Sequence, residues 1–325
     1  MTHETTSLFK ILTDSEGLDY QFADWFENLF RGMQLPLLPQ GMTIADGQTI
    51  LDVACREGEW VNELAFHQNR SEEHEDVVVV GLDFRPKCIG IARANARDRG
   101  YENVVFLVRD LYHMDLSANS YDLVHLRGLA PLVPSERWPQ LLAEVVRLLR
   151  PGGHVVCTEL AWPTTNAPIG EIAANLVRQV LQIAAYTPIQ VRHLGGLFRD
   201  AGCQRVRQST TTLELLTVTG GGLFLQYRLL PLMYLLAPFL KKHGLATDGQ
   251  FKKLQYEIES ALVTTTFRAN WPVVTTIGEK PALDKVAHTR REWNSLTQQS
   301  TMISLKQPQF QLLAKRSDYL KGSVS

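Results

Sequence analysis

Residues 50–60 read ILDVACREGEW, and this stretch decides how the chain folds. Its first letters, ILDVA, extend an apolar run from Thr49, and short apolar runs are typical of buried β-strands. Residues 55–59 are mostly polar and contain a glycine, which indicates a tight turn. Residues 60–68 then place apolar side chains at helical spacing. The stretch therefore predicts a strand, a turn and a helix in direct succession.

The same alternation continues towards the carboxyl terminus. Amphipathic helices are predicted at residues 87–100 and 135–150, and the intervening apolar runs predict further strands at 77–84, 104–111, 121–128 and 154–160. Strands that alternate with helices pair in parallel, because each helix returns the chain to the edge where the next strand starts. The sequence therefore predicts an α/β fold with a doubly wound, Rossmann-like sheet.

The two ends of the chain lack this alternation. Aromatic residues at helical spacing, among them Phe22, Trp25 and Phe26, indicate a helical cap, and the alternation stops after Ala161. The predicted domains are a helical N-terminal cap (1–45), a Rossmann-like core (46–165), a helical substrate-side insertion or lid (166–265), a final strand that returns to the core sheet (266–281) and a C-terminal extension (282–325).

One segment tests for a membrane span. Residues 223–240 read LFLQYRLLPLMYLLAPFL, which is close to the length of a transmembrane helix. Arg228 lies inside the segment, and a charge near the centre of a bilayer costs roughly 2.5–3.5 kcal/mol. Pro231 and Pro238 also interrupt it. The segment is therefore predicted to be a buried helix or a lid over a pocket, with no membrane span.

Charge and cysteine content narrow the class of function. The 325 residues include 33 Lys or Arg and 34 Asp or Glu, so the formal net charge is −1, which gives no long-range attraction to nucleic-acid phosphates. The four cysteines lie far apart, without the close spacing of a zinc site or a disulfide framework, and no metal is expected. The first residues do not resemble a secretion signal, so a cytoplasmic location is expected.

Acidic residues stand at the ends of the first three predicted strands. In a doubly wound sheet, ligands bind beyond the carboxyl ends of the strands. Asp52 and the turn after it belong to the first strand, and Asp83 ends the second. A carboxylate such as Asp83 has two acceptor oxygens for the vicinal hydroxyls of a ribose. Asp110 and Leu111 close the third strand, where they can hold an adenine amino group and ring face.

In this order and spacing, these motifs resemble the class I S-adenosylmethionine (SAM)-dependent methyltransferases of the small-molecule branch. The family's hhDxGxGxG motif corresponds to residues 50–58, and its second-strand acid and third-strand pair correspond to Asp83 and to Asp110 with Leu111. The fourth strand, YDLVHLRGL, and the turn LLRPGG also match. FRANWPVVTTIGEKP is similar to the family's final hairpin, and KILTDSEG to its cofactor-covering segment. The main resemblance covers residues 45–160.

The resemblance implies SAM as cofactor and S-adenosylhomocysteine (SAH) as product. The residues expected at the cofactor are Asp52, Ala54, Cys55, Arg56, Gly58, Trp60, Asp83, Phe84, Arg109, Asp110, Leu111, His125 and Arg127.

Two residues of the first motif depart from the family pattern. Ala54 replaces the first glycine, and Arg56 replaces the second, where the backbone passes close to the methionine part of SAM. A side chain is costly at a positive φ, which glycine adopts freely. Three outcomes stay open for Arg56: it occupies the region of the carboxylate or sulfonium, it swings out, or it pairs with the methionine carboxylate.

The resemblance implies methyl transfer to a small, fairly apolar acceptor of the secondary-metabolite kind. The C-terminal half is expected to supply the acceptor pocket and a homodimer contact through its helices. No catalytic residue is assigned, because no acid–base pair identifies itself. The candidates for acceptor binding are Glu159, Trp162, Tyr186, Tyr227 and Tyr234.

Two other functions remain open on the same fold. The first is a SAM-binding cyclase or rearrangement enzyme that transfers no methyl group. The second is a degenerate, non-catalytic methyltransferase homologue that acts as a binding partner. Arg56 and the apolar segment 223–240 motivate the first alternative, and in the second the partner is bound through residues 223–240 or the extension 282–325.

Overall fold

A computed structural model describes residues 35–69, 77–184, 187–216, 234–264 and 266–282. The predicted N-terminal helices, Tyr186, Tyr227 and the extension beyond residue 282 lie outside these ranges. By internal contacts the chain divides into two compact units, Met1–Ala282 and Leu283–Ser325. All residues that the structure describes belong to the first unit.

The described residues form one mixed sheet of eight strands, which confirms the predicted Rossmann-like α/β fold. The strand order is β3-β2-β1-β4-β5-β8-β6, and β7 also pairs with β8. The strands β1 to β5 are parallel, and β8 runs antiparallel to β5. The strands are β1 (Thr49–Val53), β2 (Val78–Asp83), β3 (Val104–Val108), β4 (Tyr121–Arg127), β5 (Leu149–Leu160), β6 (Thr164–Thr165), β7 (Gln204–Leu216) and β8 (Arg268–Glu279).

Helices cover both faces of the sheet. Several begin where the sequence supplies a start signal: proline occupies the first turn of the helices that start at Pro86, Trp138 and Pro168, and a Thr247–Gln250 capping box precedes the helix at Asp248. The helices are α1 (Glu59–Asn69), α2 (Pro86–Asp98), α3 (Trp138–Leu148), α4 (Pro168–Ile183), α5 (Leu194–Asp200), α6 (234–242) and α7 (Asp248–Leu262).

Alternating residues of the central strands face two separate apolar clusters. Ile50 packs with residues of α1 and α2, whereas its neighbour Leu51 packs with α3, α5 and α7. This alternation follows from the two-residue period of a strand. Both faces of β1 are buried, so the carboxyl ends of the central strands remain as the edge where polar groups collect.

The region 166–265, predicted as a helical insertion or lid, contains helices but also a strand that was not predicted. Residues 204–216 form β7, which pairs antiparallel with β8 from Gln204 to Leu216. Most of its side chains are exposed, so the apolar pattern that announces a buried strand is missing. Its consecutive threonines favour a strand, because β-branched side chains suit the pleated surface.

The apolar segment 223–240 is described only from residue 234 onward. There it is the helix α6, and Leu236, Phe239 and Leu240 are buried in the larger apolar cluster. The predicted buried helix is therefore confirmed for this part of the segment. Within the described ranges, no helix is both long and apolar enough to cross a membrane.

Candidate functional site

The turn between β1 and α1 adopts left-handed backbone conformations at three positions. The φ angles are 57° at Ala54, 54° at Arg56 and 73° at Gly58. A Cβ atom on Gly58 would lie 2.5 Å from the ring of Phe106, so glycine is required there for close packing of the turn onto the sheet. Ala54 and Arg56 hold a conformation that costs roughly 1–2 kcal/mol for a residue with a side chain.

The carboxylate of Asp83 accepts four hydrogen bonds at the end of β2. Its Oδ1 accepts from the backbone N–H and from Nε of Arg85, both at 2.9 Å. Its Oδ2 accepts from Nη2 of Arg85 at 2.8 Å and from the backbone N–H of Arg56 at 3.0 Å. Burial raises the pKa of Asp83, but the Arg85 guanidinium and these hydrogen bonds outweigh that effect and hold the pKa below its usual range. Asp83 is therefore a buried anion.

The side chain of Arg56 turns away from Asp83 towards the end of β4. Its Nη2 donates to the carbonyl oxygen of Gly128 at 2.9 Å and to that of Arg127 at 3.4 Å. Only 4% of Arg56 is exposed. The Arg56 side chain has therefore not swung out into solvent. Its guanidinium is buried and bonds to the backbone carbonyl oxygens that follow β4.

Glu159 of β5 binds the same segment through its backbone N–H groups. Its two carboxylate oxygens accept from the N–H groups of Leu129 at 2.6 Å and Ala130 at 3.2 Å. Burial raises the pKa of Glu159 to about 7, while the two N–H groups and Arg56 act in the opposite direction. Arg56 and Glu159 together fix residues 127–130 immediately after β4.

A second acid lies at the end of β3, next to β2 in the sheet. Oδ1 of Asp110 accepts from the backbone N–H groups of Tyr112 at 2.7 Å and His113 at 3.0 Å. The N–H of Arg109 donates to the backbone oxygen of Asp83 at 3.0 Å, which ties the two strand ends together. Leu111 is fully buried. The half-buried Phe84 ring lies 5.1 Å from the guanidinium carbon of Arg85.

Asp52 pairs across the sheet with His125 of β4. Nδ1 of His125 lies 2.7 Å from Oδ1 of Asp52, and both side chains are buried. The imidazole stacks on the indole of Trp60 with ring centroids 3.9 Å apart and an interplanar angle of 9°. The indole nitrogen of Trp60 donates to the carbonyl oxygen of Leu37. These contacts anchor the segment before β1 to the sheet.

A cavity lies against this stacked pair. Its wall combines apolar side chains with three threonines and the charged Arg127. Residues of the strands β4, β5, β7 and β8 form one side of the cavity. The residues lining it are Leu35, Pro36, Leu37, Pro39, Trp60, His125, Arg127, Val156, Thr158, Thr211, Val273 and Thr275.

The structure thus distributes the predicted residues over two neighbouring places. Asp83, Asp110, Arg56 and the glycine turn collect at the ends of β1 to β3, whereas Trp60, His125 and Arg127 line the cavity. Three of the predicted acceptor residues lie in the described ranges, and they do not line the cavity. Glu159 faces away from it, and Trp162 and Tyr234 are 54% and 57% exposed. Their role in acceptor binding stays a prediction.

Sequence reasoning missed two sets of residues. Arg85 follows Asp83 by two positions, but a single arginine at the start of a helix carries no signal of an ion pair with the preceding acid. The threonines Thr158, Thr211 and Thr275 come from three strands that meet only through the β5–β8–β7 pairing. Because the sequence did not predict β7, it did not predict that these threonines form one wall of the cavity.

Comparison with known proteins identifies the domain. Residues 44–202 match the sequence model of a family described as a methyltransferase domain. Over these residues, which are just under half of the chain, the protein is similar to a methyltransferase domain. The match includes the strand-end acids, the β1 turn and the Glu159 segment.

Two curated relatives give the degree of similarity. The demethylmenaquinone methyltransferase of Lactococcus lactis subsp. lactis is 31% identical over 118 residues, which cover 36% of this chain and 44% of that protein. The Bacillus subtilis enzyme of the same description is 25% identical over 187 residues, which cover 53% of this chain and 77% of that protein. The first relative is therefore matched over less than half of its length.

Solved structures show the same fold. The phosphoethanolamine N-methyltransferase 2 of Haemonchus contortus, in complex with phosphomonomethylethanolamine and SAH, superposes with a TM-score of 0.53 at 16% identity. The superposition covers 85% of this chain and 60% of that one. The same protein in complex with SAM gives a TM-score of 0.51 at 15% identity.

The two superposed structures of the Haemonchus contortus protein contain SAH or SAM. In the present chain, the carboxylates at the strand ends could accept hydrogen bonds from the nucleoside half of such a molecule. Asp83 and Asp110 present carboxylate oxygens at adjacent strand ends. These oxygens can accept hydrogen bonds from ribose hydroxyl groups and from an adenine amino group. In the described conformation, however, the acceptor positions of Asp83 are filled by Arg85 and by backbone N–H groups. Both expected acids are thus present, and in this conformation each accepts hydrogen bonds from groups of the protein itself.

Proposed function

We propose that the chain is an enzyme that transfers a methyl group from SAM to a small molecule. One observation carries this proposal: Asp83 and Asp110 lie at the carboxyl ends of adjacent strands, next to a glycine-bearing turn after β1. This is the edge where doubly wound sheets bind nucleotides. The family match over residues 44–202 supports the same conclusion.

In this proposal each element of the strand-end site has one task. Asp83 accepts hydrogen bonds from the ribose hydroxyls, and Asp110 with the backbone beyond it faces the adenine. The turn at residues 54–58 borders the methionine part. SAM supplies an electrophilic methyl group on a sulfonium, so the chain needs mainly to align the acceptor and exclude water.

We infer that the acceptor is small and fairly apolar and that it binds in the cavity beside His125. The flat surface of the Trp60–His125 stack and the apolar residues Leu35 and Val273 favour a planar, carbon-rich molecule. The threonines Thr158 and Thr275, whose hydroxyl oxygens lie 3.1 Å apart, offer hydrogen bonds that orient it. The relatives described as demethylmenaquinone methyltransferases are named for an acceptor of broadly this kind.

Methyl transfer is tested directly with SAM that carries an isotopically labelled methyl group. The purified full chain is incubated with a panel of hydroquinones, phenols and amines, and mass spectrometry detects the labelled product and SAH. We expect equal amounts of SAH and of one methylated acceptor class. A chain that binds SAH but methylates no member of an extended panel would contradict the proposal.

The position of the acceptor is tested with a matched pair of variants on β7. Thr211 lines the cavity, whereas Thr210 points to the other side of the strand, and both are exposed. Thr211→Tyr should fill the cavity and raise the KM for the acceptor at least tenfold, without a change in SAH affinity. Thr210→Tyr should leave both quantities unchanged. An equal effect of the two variants would remove the cavity from the proposal.

A second function is favoured by one observation. The buried Arg56 and the Asp83–Arg85 ion pair fill positions that the cofactor needs, as expected of a degenerate homologue that only binds a partner. This alternative expects no SAH binding by the wild-type chain or by variants that remove these arginines. Binding by any of them would favour the enzyme.

A further inference from the structure

We propose that Arg85 is a latch on the nucleoside site: its guanidinium occupies the two positions on Asp83 that a ribose diol requires, so the nucleoside must displace it. The inference rests on the proposed function, because it takes SAM or SAH as the ligand. It adds a residue that controls access to the site and that the sequence motifs do not contain.

The hydrogen bonds of Asp83 divide into two kinds. Two come from the backbone N–H groups of Arg56 and Arg85, which are fixed by the turn and by the start of α2. The other two come from Nε and Nη2 of the Arg85 side chain, one to each carboxylate oxygen, at 2.9 and 2.8 Å. A vicinal diol also donates one hydrogen bond to each oxygen of a carboxylate. The side chain and the diol therefore compete for the same two positions.

The guanidinium of Arg85 and the ribose diol cannot bind Asp83 at the same time, and water cannot replace either of them because Asp83 is fully buried. A carboxylate with 0% exposure cannot exchange the guanidinium for bulk water, and removing one partner from a buried pair is strongly unfavourable. The ligand must supply the replacement donors as the guanidinium leaves. A neutral diol replaces a cation, so the exchange lowers the apparent affinity for every ligand that carries the ribose.

In this proposal Arg85 leaves by a movement of its side chain alone, out of a position that is nine-tenths buried. It is the residue before Pro86, in an extended conformation at the start of α2, and its side chain is 10% exposed. Its backbone N–H remains bonded to Asp83 while the side chain rotates towards solvent. The latch is therefore a side-chain movement around a fixed backbone.

Arg56 does not belong to the latch. Only its backbone N–H reaches Asp83, and its guanidinium bonds to the carbonyl oxygens of Gly128 and Arg127 instead. A change of the Arg56 side chain thus leaves the ribose positions as they are, whereas a change of Arg85 frees them. The effects of the two arginines can be distinguished with two ligands. SAH contains the methionine part, which the turn with Arg56 borders, whereas adenosine lacks it and carries only the nucleoside.

The first experiment is calorimetric titration of the full chain with SAH and with adenosine. Arg85→Gln should bind both ligands at least tenfold more tightly than wild type, by the same factor, because both carry the ribose diol. Arg97→Gln removes the same charge from an exposed position of α2 and should change neither affinity. Binding of SAH by Arg85→Gln but not by wild type would support the latch in its strongest form.

Two results would overturn the latch, and they differ in what they leave standing. If wild type binds SAH and Arg85→Gln binds it equally or more weakly, the latch is wrong and the proposed function survives. If neither the wild type nor Arg85→Gln, both shown to be folded, binds SAH or adenosine, both proposals fail. Tight SAH binding without methyl transfer would overturn the function and retain the latch.

A second measurement uses the wild-type chain, because Arg85→Gln leaves a buried carboxylate without its partner and is expected to fold less stably. Phenylglyoxal modifies accessible guanidinium groups, and peptide mass spectrometry locates the modified arginines. Saturating SAH should increase modification of Arg85 several-fold and leave Arg97 unchanged. Unchanged or reduced modification of Arg85, with SAH bound, would contradict the latch.

Discussion

At the scale of single residues, Gly58 shows how closely the β1 turn packs on the sheet. A Cβ atom there would meet the ring of Phe106 at 2.5 Å and the Cβ of Ala92 at 2.9 Å, at a φ of 73°. Gly58→Ala should lower the free energy of unfolding by about 1–3 kcal/mol, because overpacking forces the ring or the turn to move. Urea denaturation measures this difference.

Gly90 supplies the control. It lies on the exposed side of α2 with no atom within 4 Å of an added Cβ. Gly90→Ala should raise the free energy of unfolding by about 0.5–1 kcal/mol, because alanine is the better helix former. If Gly58→Ala is as stable as wild type, the ring of Phe106 does not constrain the turn.

Glu159 makes the stability depend on pH. Burial raises its pKa from 4.5 to about 7 in the folded chain. Between these values the unfolded chain has lost the proton and the folded chain has kept it. Stability therefore falls as the pH rises from about 4.5 to about 7, by about 1.4 kcal/mol per unit of pKa shift.

Glu159→Gln keeps the neutral form at every pH. We expect the free energy of unfolding of this variant, relative to wild type, to increase across that window and to level off above it. Urea denaturation at several pH values from about 5 to about 8 measures the difference. A constant difference for Glu159→Gln would mean that the folded carboxyl titrates normally.

The acids of the candidate site were within reach of sequence reasoning, and their partners were not. Asp83 and Asp110 are marked by their position at the ends of apolar strands. The pairing of Asp83 with Arg85, and of Asp52 with His125, depends on which rotamers the packed site selects. No periodicity in the sequence carries that information.

At the scale of elements, Lys280 joins the end of β8 to the end of α3. Its Nζ donates to the carbonyl oxygens of Val146 and Leu149 and to Oδ1 of Asn119, each at 2.8 Å. A cation there also satisfies the negative end of the helix dipole. Lys280→Met should lower the free energy of unfolding by about 1.5–3 kcal/mol, as measured by urea denaturation.

A matched lysine on α7 separates this effect from a general loss of charge. Lys253 is 77% exposed and lies 3.8 Å from Glu257. Lys253→Met should change the stability by no more than about 0.5 kcal/mol, because exposed ion pairs contribute little. Equal effects of the two substitutions would remove the special role of Lys280.

Elements with a strong apolar pattern were predictable, and β7 was not. The strands β1, β2 and β4 are buried on both faces and therefore read as continuous apolar runs. The exposed strand β7 is defined by its long pairing with β8, which is distant in the sequence. Pairing of this kind is a tertiary property, so a local reading assigned the region to helices.

At the scale of the whole molecule, Met1–Ala282 forms one compact unit by its internal contacts. We expect a chain that ends at residue 282 to unfold at the same midpoint as the full chain and to bind SAH with the same affinity. Thermal denaturation and calorimetry measure the two quantities. A lower midpoint or a loss of affinity would show that residues 283–325 contribute to the first unit.

The central claim is that the acids at the strand ends bind the nucleoside of SAM. Calorimetric titration with SAH tests it most directly, on wild type and on the double variant Asp83→Asn/Arg85→Gln, which removes the acceptor charge without leaving a buried ion unpaired. We predict one bound SAH per wild-type chain. We also predict at least tenfold weaker binding by the double variant than by Arg85→Gln, which lacks the same guanidinium, because hydrogen bonds to a charged group are worth about 1.5–3 kcal/mol. Equal affinity of Arg85→Gln and the double variant would contradict the claim and place the ligand elsewhere.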